Sequence, residues 1–254
     1  MIVIDGQNCS LIYKQKFSSG DRDFLSNRIY AKWEKPREFK EALGGGGVRV
    51  VRISEAGFDK AVEEAVERLR NGGLVVYPTE TCYGLGAAID DLRAVERVYR
   101  VKRRPFDRHL TIIVADVEMW SRYAYITPEA SKLIKRFLPG PLTIILWKRP
   151  TVPDLVNPDR IGARISSHPV AQALVEKLGK PITATSANLH GGPNPYRVEE
   201  TVGESVDLVL DYGELPRKPP STIVDLTVKP PAIYRAYPNG PFTREEVLKA
   251  LEDP

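Results

Sequence analysis

The chain has 254 residues, 42% of them hydrophobic and 28% charged, with a formal net charge of +4. This is enough apolar material for one sizeable core, or for a domain with an appendage, and no stretch approaches the ~18 apolar residues of a membrane span. The start, Met1-Ile2-Val3-Ile4-Asp5, has neither a basic lead nor a long apolar run, so a cytoplasmic protein without a signal peptide is expected.

Residues 1–47 differ in pattern from the rest of the chain and end in four consecutive glycines, 44–47. Such a run makes a flexible linker. The expected organisation is an appendage over residues 1–47 and a main domain over residues 48–254.

Beyond the glycines the pattern becomes regular. Residues 48–53 predict a strand. Phe58, Ala61, Val62, Ala65, Val66 and Leu69 recur at helical spacing, and Gly72-Gly73 stops that helix. Residues 74–77 predict a buried strand ended by Pro78. Thr79 to Gly86 then reads as a turn crowded with hydroxyls, one carboxylate and two glycines, where Thr79 bonding its own backbone is the plain alternative to ligand binding. Leu92, Val95, Val98 and Tyr99 mark a helix opening at Asp90-Asp91. Residues 110–114 predict a strand, and Thr127-Pro128-Glu129 opens another helix, with threonine as cap and proline in the first turn.

Residues 142–147 predict a strand, 169–178 a helix closed by Gly179, and 182–185 a strand. Residues 206–210, 222–226 and 232–236 add three more strands. Thr243 and Glu246 form a capping box for a last helix to Leu251. Helices and strands alternate and strands cluster late, which predicts an α/β or α+β fold: a mixed sheet with helices on its faces.

Several large enzyme classes lack their signature here. There is no P-loop, no Gly-x-Gly-x-x-Gly, no Gly-x-Ser-x-Gly and no His-Glu-x-x-His. Cys9 and Cys82 have no metal-ligand spacing, and Cys82 reads better as a small buried side chain than as a nucleophile. His109, His168 and His190 are scattered. What stands out is a cationic run from Arg97 to Arg108, opposed only by Asp107, that attracts phosphate on a nucleotide or on RNA. Lys102 and Arg104 flank Arg103, so an extended segment would turn both to one side, as a phosphate clamp requires. Ser186 and Asn188 are also two apart and would face one way if extended, ready to orient a polar group. Arg164, before His168-Pro169, can hold a carboxylate or form a surface ion pair.

From about Ile53 to Leu251 the chain resembles the YrdC-like family of L-threonylcarbamoyladenylate synthases. The matching segments are Tyr77-Pro78-Thr79-Glu80-Thr81-Cys82-Tyr83-Gly84-Leu85-Gly86, Lys102-Arg103-Arg104-Pro105, Pro139-Gly140-Pro141-Leu142-Thr143 and Arg164 before His168-Pro169. Thr185-Ser186-Ala187-Asn188, Ser221-Thr222-Ile223-Val224-Asp225 and Arg235 complete the set, in the family's order. The resemblance implies a twisted mixed sheet with a concave basic cavity. It implies synthesis of threonylcarbamoyl-adenylate from L-threonine, bicarbonate or carbon dioxide, and ATP, with magnesium. A separate transferase would pass the product to tRNA as N6-threonylcarbamoyladenosine.

Residue by residue, the resemblance makes Lys102, Arg104, Ser186 and Asn188 the family's tetrad around the nucleotide. It places Arg108, Asn194 and Arg235 at ATP, and Thr79, Arg164 and Ser221 at threonine. His109, Ile113 and His190 depart from the residues common there. Longer members carry a second C-terminal domain, so the resemblance implies a short form, or a truncation. Two other readings compete: a tRNA- or double-stranded-RNA-binding protein without turnover, and carbamoyl transfer in hydrogenase maturation.

Overall fold

The computed structural model describes residues 48–236 and 240–252; the expected appendage over residues 1–47 lies outside them. The described strands form two mixed sheets. The first contains β1 (Arg49–Arg52), β2 (Val75–Tyr77), β3 (Gly84–Gly86), β8 (Thr185–Ser186) and β9 (Leu208–Asp211), in the order β1-β9-β2-β3-β8. The second contains β4 (Thr111–Ile113), β5 (Leu142–Trp147), β6 (Arg160–Arg164), β7 (Ile182–Thr183), β10 (Thr222–Asp225) and β11 (Ala232–Arg235), in the order β11-β10-β5-β6-β4-β7. The helices are α1 (Ile53–Ala56), α2 (Phe58–Arg70), α3 (Leu92–Lys102), α4 (Val117–Ser121), α5 (Pro128–Phe137), α6 (Pro169–Leu178) and α7 (Arg244–Glu252). The mixed α/β class is as expected. Its strands divide between two sheets, where the sequence pattern predicts one. None of the described helices is long and apolar enough to cross a membrane.

The capped helices follow their sequence signals closely. The Asp91 carboxylate accepts from the Arg93 and Ala94 amides at 3.0 Å each and opens α3. Thr127 accepts from Ala130 N at 3.2 Å ahead of Pro128. The Thr243 and Glu246 side chains exchange bonds with each other's amides at 2.7 and 3.2 Å. Each cap satisfies amides that would otherwise lack a partner. The stripes Ala61, Val62, Ala65, Val66, Leu69 on α2 and Ala94, Val95, Val98, Tyr99 on α3 are buried.

Besides α1 and β6, which the sequence pattern did not predict, three elements depart from the sequence reading. Helix α4 has five residues, too few to show a helical period; Asp116 caps it at 2.6 Å, and it buries Met119 and Trp120. The expected strand over residues 182–185 is broken at Ala184. Residues 182–183 pair with β4 in the second sheet, while 185–186 pair with β3 in the first. The Ala184 amide bonds the Thr111 carbonyl at 2.7 Å at this corner. The chain thus carries Ser186 from one sheet to the other.

The third departure is β3, read from sequence as part of a turn. Gly-Leu-Gly has little strand propensity. Here Gly84 and Gly86 pair antiparallel with Tyr77 and Val75, under the fully buried Tyr77 ring, whose hydroxyl donates to the Thr183 carbonyl at 2.9 Å. A Cβ at Gly86 would lie 2.8 Å from Tyr77 Cε1, and one at Gly84 3.0 Å from Tyr77 Cζ. The ring demands glycine on both sides of Leu85, so tertiary packing overrides propensity. Gly86→Ala should therefore destabilise the fold by about 1–3 kcal/mol, as overpacking against an immobile group does. Denaturant melts measure this; an unchanged midpoint would show that the ring has room.

Candidate functional site

The last turn of α3 brings the sequence's cationic run to the corner at Ala184. Lys102 closes the helix and is 1% exposed. Its ammonium donates to the Ser186 carbonyl, to the Asn188 carbonyl at 2.8 Å and to Asn188 Oδ1 at 3.1 Å. Three N–H groups meet three neutral oxygens, and among the described residues none of its bonds is to a carboxylate. Burial, with the nearby Arg104 cation adding to it, pulls the lysine down to about 7. Desolvation disfavours the charged form, and dipoles offset it only in part.

Arg103 adopts the left-handed conformation, φ 49°. This is uncommon without glycine and costs roughly 1 kcal/mol. It lets the Arg104 amide bond the Tyr99 carbonyl at 2.8 Å and ends the helix. Lys102 and Arg104 are therefore placed by a left-handed helix stop, and the extended segment expected from their spacing is absent. The Arg104 guanidinium donates through Nε to the Arg108 carbonyl at 2.5 Å and through Nη2 to the His109 carbonyl at 2.8 Å. Among the described residues no carboxylate pairs with it. Burial draws it below the usual guanidinium value.

Ser186 and Asn188 do face one another: Ser186 Oγ donates to Asn188 Oδ1 at 2.6 Å. The Asn188 amide nitrogen donates to the Gly192 and Pro193 carbonyls at 2.6 and 2.9 Å. Lys102, Ser186 and Asn188 thus meet at one corner, and Arg104 lines the same cleft as Ser186.

Arg164 ends β6. Its Nε donates to Glu80 Oε1 at 3.0 Å, in an ion pair whose side chains are 9% and 10% exposed. The other Glu80 oxygen accepts from the Ser166 hydroxyl. Burial alone would push the Glu80 carboxyl up. The Arg164 guanidinium and the Ser166 hydroxyl outweigh it, and Glu80 stays below the usual carboxylate range. The plain alternative for Arg164, a surface ion pair, does not describe this buried one.

Arg104 and Arg164 both line a cleft of about 200 Å³. Thr79, Ser186, Asn194, Ser221 and Arg235 also line it. Lys102 and Asn188 are buried and lie outside that lining, and Arg108 is exposed and outside it too. Ser221 Oγ shares a hydrogen bond with Thr143 Oγ1 at 3.0 Å, and Arg235 donates to the Ser221 carbonyl at 2.7 Å and to its hydroxyl at 3.1 Å. Thr79 Oγ1 bonds the Cys82 carbonyl at 2.6 Å and accepts from the Thr81 and Cys82 amides at 3.2 Å each. Its hydroxyl holds the turn. Cys82 is buried, and burial raises its thiol, so it behaves as a small core residue.

Sequence reasoning gave no role to Glu80, Ser166 or Thr143. Glu80 and Ser166 meet across 86 positions, so no local period joins them. The signal was a lone carboxylate in a loop of hydroxyls after a buried strand, which needs a cation from elsewhere. Part of the cationic run is committed within the fold, while Arg103 and Arg108 stay exposed. Arg97 pairs with Asp207 at 2.8 Å, Arg100 pairs with Glu96, and Lys102 is buried.

Two mixed sheets with helices and a polar cleft define a protein of the mixed α/β class. The profile of the Sua5/YciO/YrdC family, described as "Telomere recombination", matches residues 67–236, and the chain belongs to that family. A putative threonylcarbamoyl-AMP synthase of Methanocaldococcus jannaschii is 39% identical over 182 residues, 70% of this chain and 86% of that protein. The structure of Pyrococcus abyssi Sua5 complexed with L-threonine superimposes with a TM-score of 0.73 at 37% identity, over 80% of this chain and 60% of that one. The Escherichia coli YciO structure gives a TM-score of 0.63 at 35% identity, over 68% of this chain and 87% of that one.

The buried lysine makes stability depend on pH. The folded chain releases the Lys102 proton near pH 7, whereas the unfolded chain keeps it up to its ordinary value of 10.5. Between those limits the unfolded state binds more protons, so this group adds stability as pH rises. Wild type should gain on the order of 3 kcal/mol relative to Lys102→Met between pH 7 and 10. Below pH 7 the difference should be flat. Paired denaturant melts across this range test it; a constant difference from pH 7 to 10 contradicts a depressed lysine.

Proposed function

We propose that this chain makes L-threonylcarbamoyl-AMP from L-threonine, bicarbonate or carbon dioxide, and ATP, releasing pyrophosphate. The carrying observation is the asymmetry of the cleft. Of the two arginines that line it, Arg164 is matched by a buried carboxylate, and Arg104 is bonded only to carbonyl oxygens. A neutralised fork suits the single carboxylate of an amino acid, and an unmatched cation suits a polyphosphate. The synthase names of the relatives and the threonine-bound homologue support this reading.

In the proposed site the threonine carboxylate lies on the terminal nitrogens of Arg164. The turn held by Thr79 and the hydroxyl of Ser221 shape the pocket for its side chain. Arg104 and Ser186, which line the cleft, take the phosphates, Lys102 and Arg108 add positive charge from outside that lining, and Asn194 and Arg235 lie toward the rest of the nucleotide. Asn188 holds Ser186 in place.

Threonine's ammonium and bicarbonate give a carbamate, water and one proton. A carbamate oxygen then attacks the α-phosphorus, and the bond to the pyrophosphate oxygen breaks. The residues contribute position and charge rather than a covalent intermediate. Magnesium arrives on ATP as part of the substrate. Among the described residues no cluster of three or more His, Cys, Asp and Glu side chains is placed to hold a metal of its own. The product passes in the cytoplasm to a separate transferase that modifies tRNA.

Pyrophosphate release should require threonine, bicarbonate and ATP together. Arg104→Ala should slow it about a hundredfold, the scale of losing one preorganised charge at a reacting phosphate. Arg164→Ala should raise the KM for threonine much more than that for ATP. Wild-type turnover in Arg104→Ala, or equal losses for both substrates in Arg164→Ala, would remove those residues from their roles.

A further inference from the structure

The Glu80–Arg164–Ser166 group is a buried charged network of the cleft that substrate contact alone does not explain. Glu80 is absent from the cleft lining, yet both its oxygens are committed, one to Arg164 Nε and one to Ser166 Oγ. Its approach through Nε leaves the two terminal nitrogens of Arg164 without another hydrogen bond among the described residues, and Arg164 lines the cleft. The carboxylate therefore does two things. It fixes the plane of the guanidinium, and it cancels the formal charge behind it.

We infer that Glu80 is a specificity-determining residue: by neutralising Arg164 it reserves that end of the cleft for a singly charged carboxylate and leaves polyphosphate to Arg104. This deepens the proposed function and rests on it. A guanidinium fork recognises carboxylate and phosphate with the same geometry, so shape alone does not tell threonine from the pyrophosphate end of ATP. Net charge does. A monoanion gains two directed hydrogen bonds from a neutral pair. A trianion or tetraanion gains the same bonds, but finds no net positive charge there to offset the much larger loss of its hydration. Arg104 has no carboxylate partner among the described residues, and its bonds go to two carbonyl oxygens, so the polyanion is favoured there. The cleft thus sorts its two anionic substrates by the presence or absence of one hidden carboxylate.

The experiment measures equilibrium binding of threonine, with and without pyrophosphate, to the full chain and its variants, without turnover. In wild type pyrophosphate should leave threonine affinity within about twofold, because the two occupy different ends. Glu80→Gln keeps the size and one hydrogen-bonding oxygen but removes the charge. There pyrophosphate should displace threonine, weakening its apparent affinity about tenfold at saturation, on the scale of one buried charge contact. Ser166→Ala and Glu80→Asp keep the charge, so pyrophosphate should not displace threonine in either, whatever their own threonine affinity.

Displacement of threonine by pyrophosphate in wild type overturns the inference, whether or not Glu80→Gln folds. Absence of displacement in folded Glu80→Gln also overturns it, as does displacement in Ser166→Ala equal to that in Glu80→Gln, which would make geometry the cause. A wild-type chain that binds neither ligand overturns the synthase reading itself, an outcome separate from all three.

Discussion

The site depends on an ammonium group buried without a counter-ion among the described residues. Lys102 ties the end of α3 to the strand corner through three neutral oxygens, two of them backbone carbonyls. Burying a cation on dipoles alone is unfavourable compared with leaving it in water. The fold tolerates it because the same contacts fix Ser186 and Asn188 and orient the left-handed stop that delivers Arg104. Strained and desolvated groups concentrate at functional sites. Under the proposed function, an incoming polyphosphate supplies the anion this corner lacks, so binding relieves a cost built into the empty fold.

The second constraint is the broken strand at Ala184. A continuous strand over residues 182–185 would keep Ser186 in the second sheet. The switch to β3 puts it beside the first sheet, next to Gly84. The buried Tyr77 ring requires the glycines of β3. The Tyr77 hydroxyl bonds the Thr183 carbonyl one residue before the break. Ring, glycine pair and strand switch form one packing solution, and the cleft opens where the two sheets part.

Local signals made most of the fold legible. Asp91, Thr127, Gly179 and the Thr243–Glu246 box each announce a helix end by an interaction within three or four residues, and the structure keeps all of them. Helix α4, strand β3 and the break at Ala184 were not legible, because each is decided by partners far along the chain. The site divides the same way. The Ser186–Asn188 pairing was readable from spacing; the placement of Lys102 and Arg104 was not, because a left-handed residue stands where an extended segment was expected and Lys102 is buried outside the cleft lining. The Glu80–Arg164–Ser166 network was invisible, since its members are brought together only by the sheet.

The most direct test of the synthase reading is the identity of the product. The protein should be incubated with ATP, L-threonine and 13C-bicarbonate, and the nucleotide followed by 13C and 31P NMR. The predicted result is a 13C-labelled carbamoyl carbon in a mixed anhydride with AMP, formed together with pyrophosphate and dependent on threonine. An unlabelled threonyl-adenylate, or ATP left intact while threonine and bicarbonate are present, would contradict it.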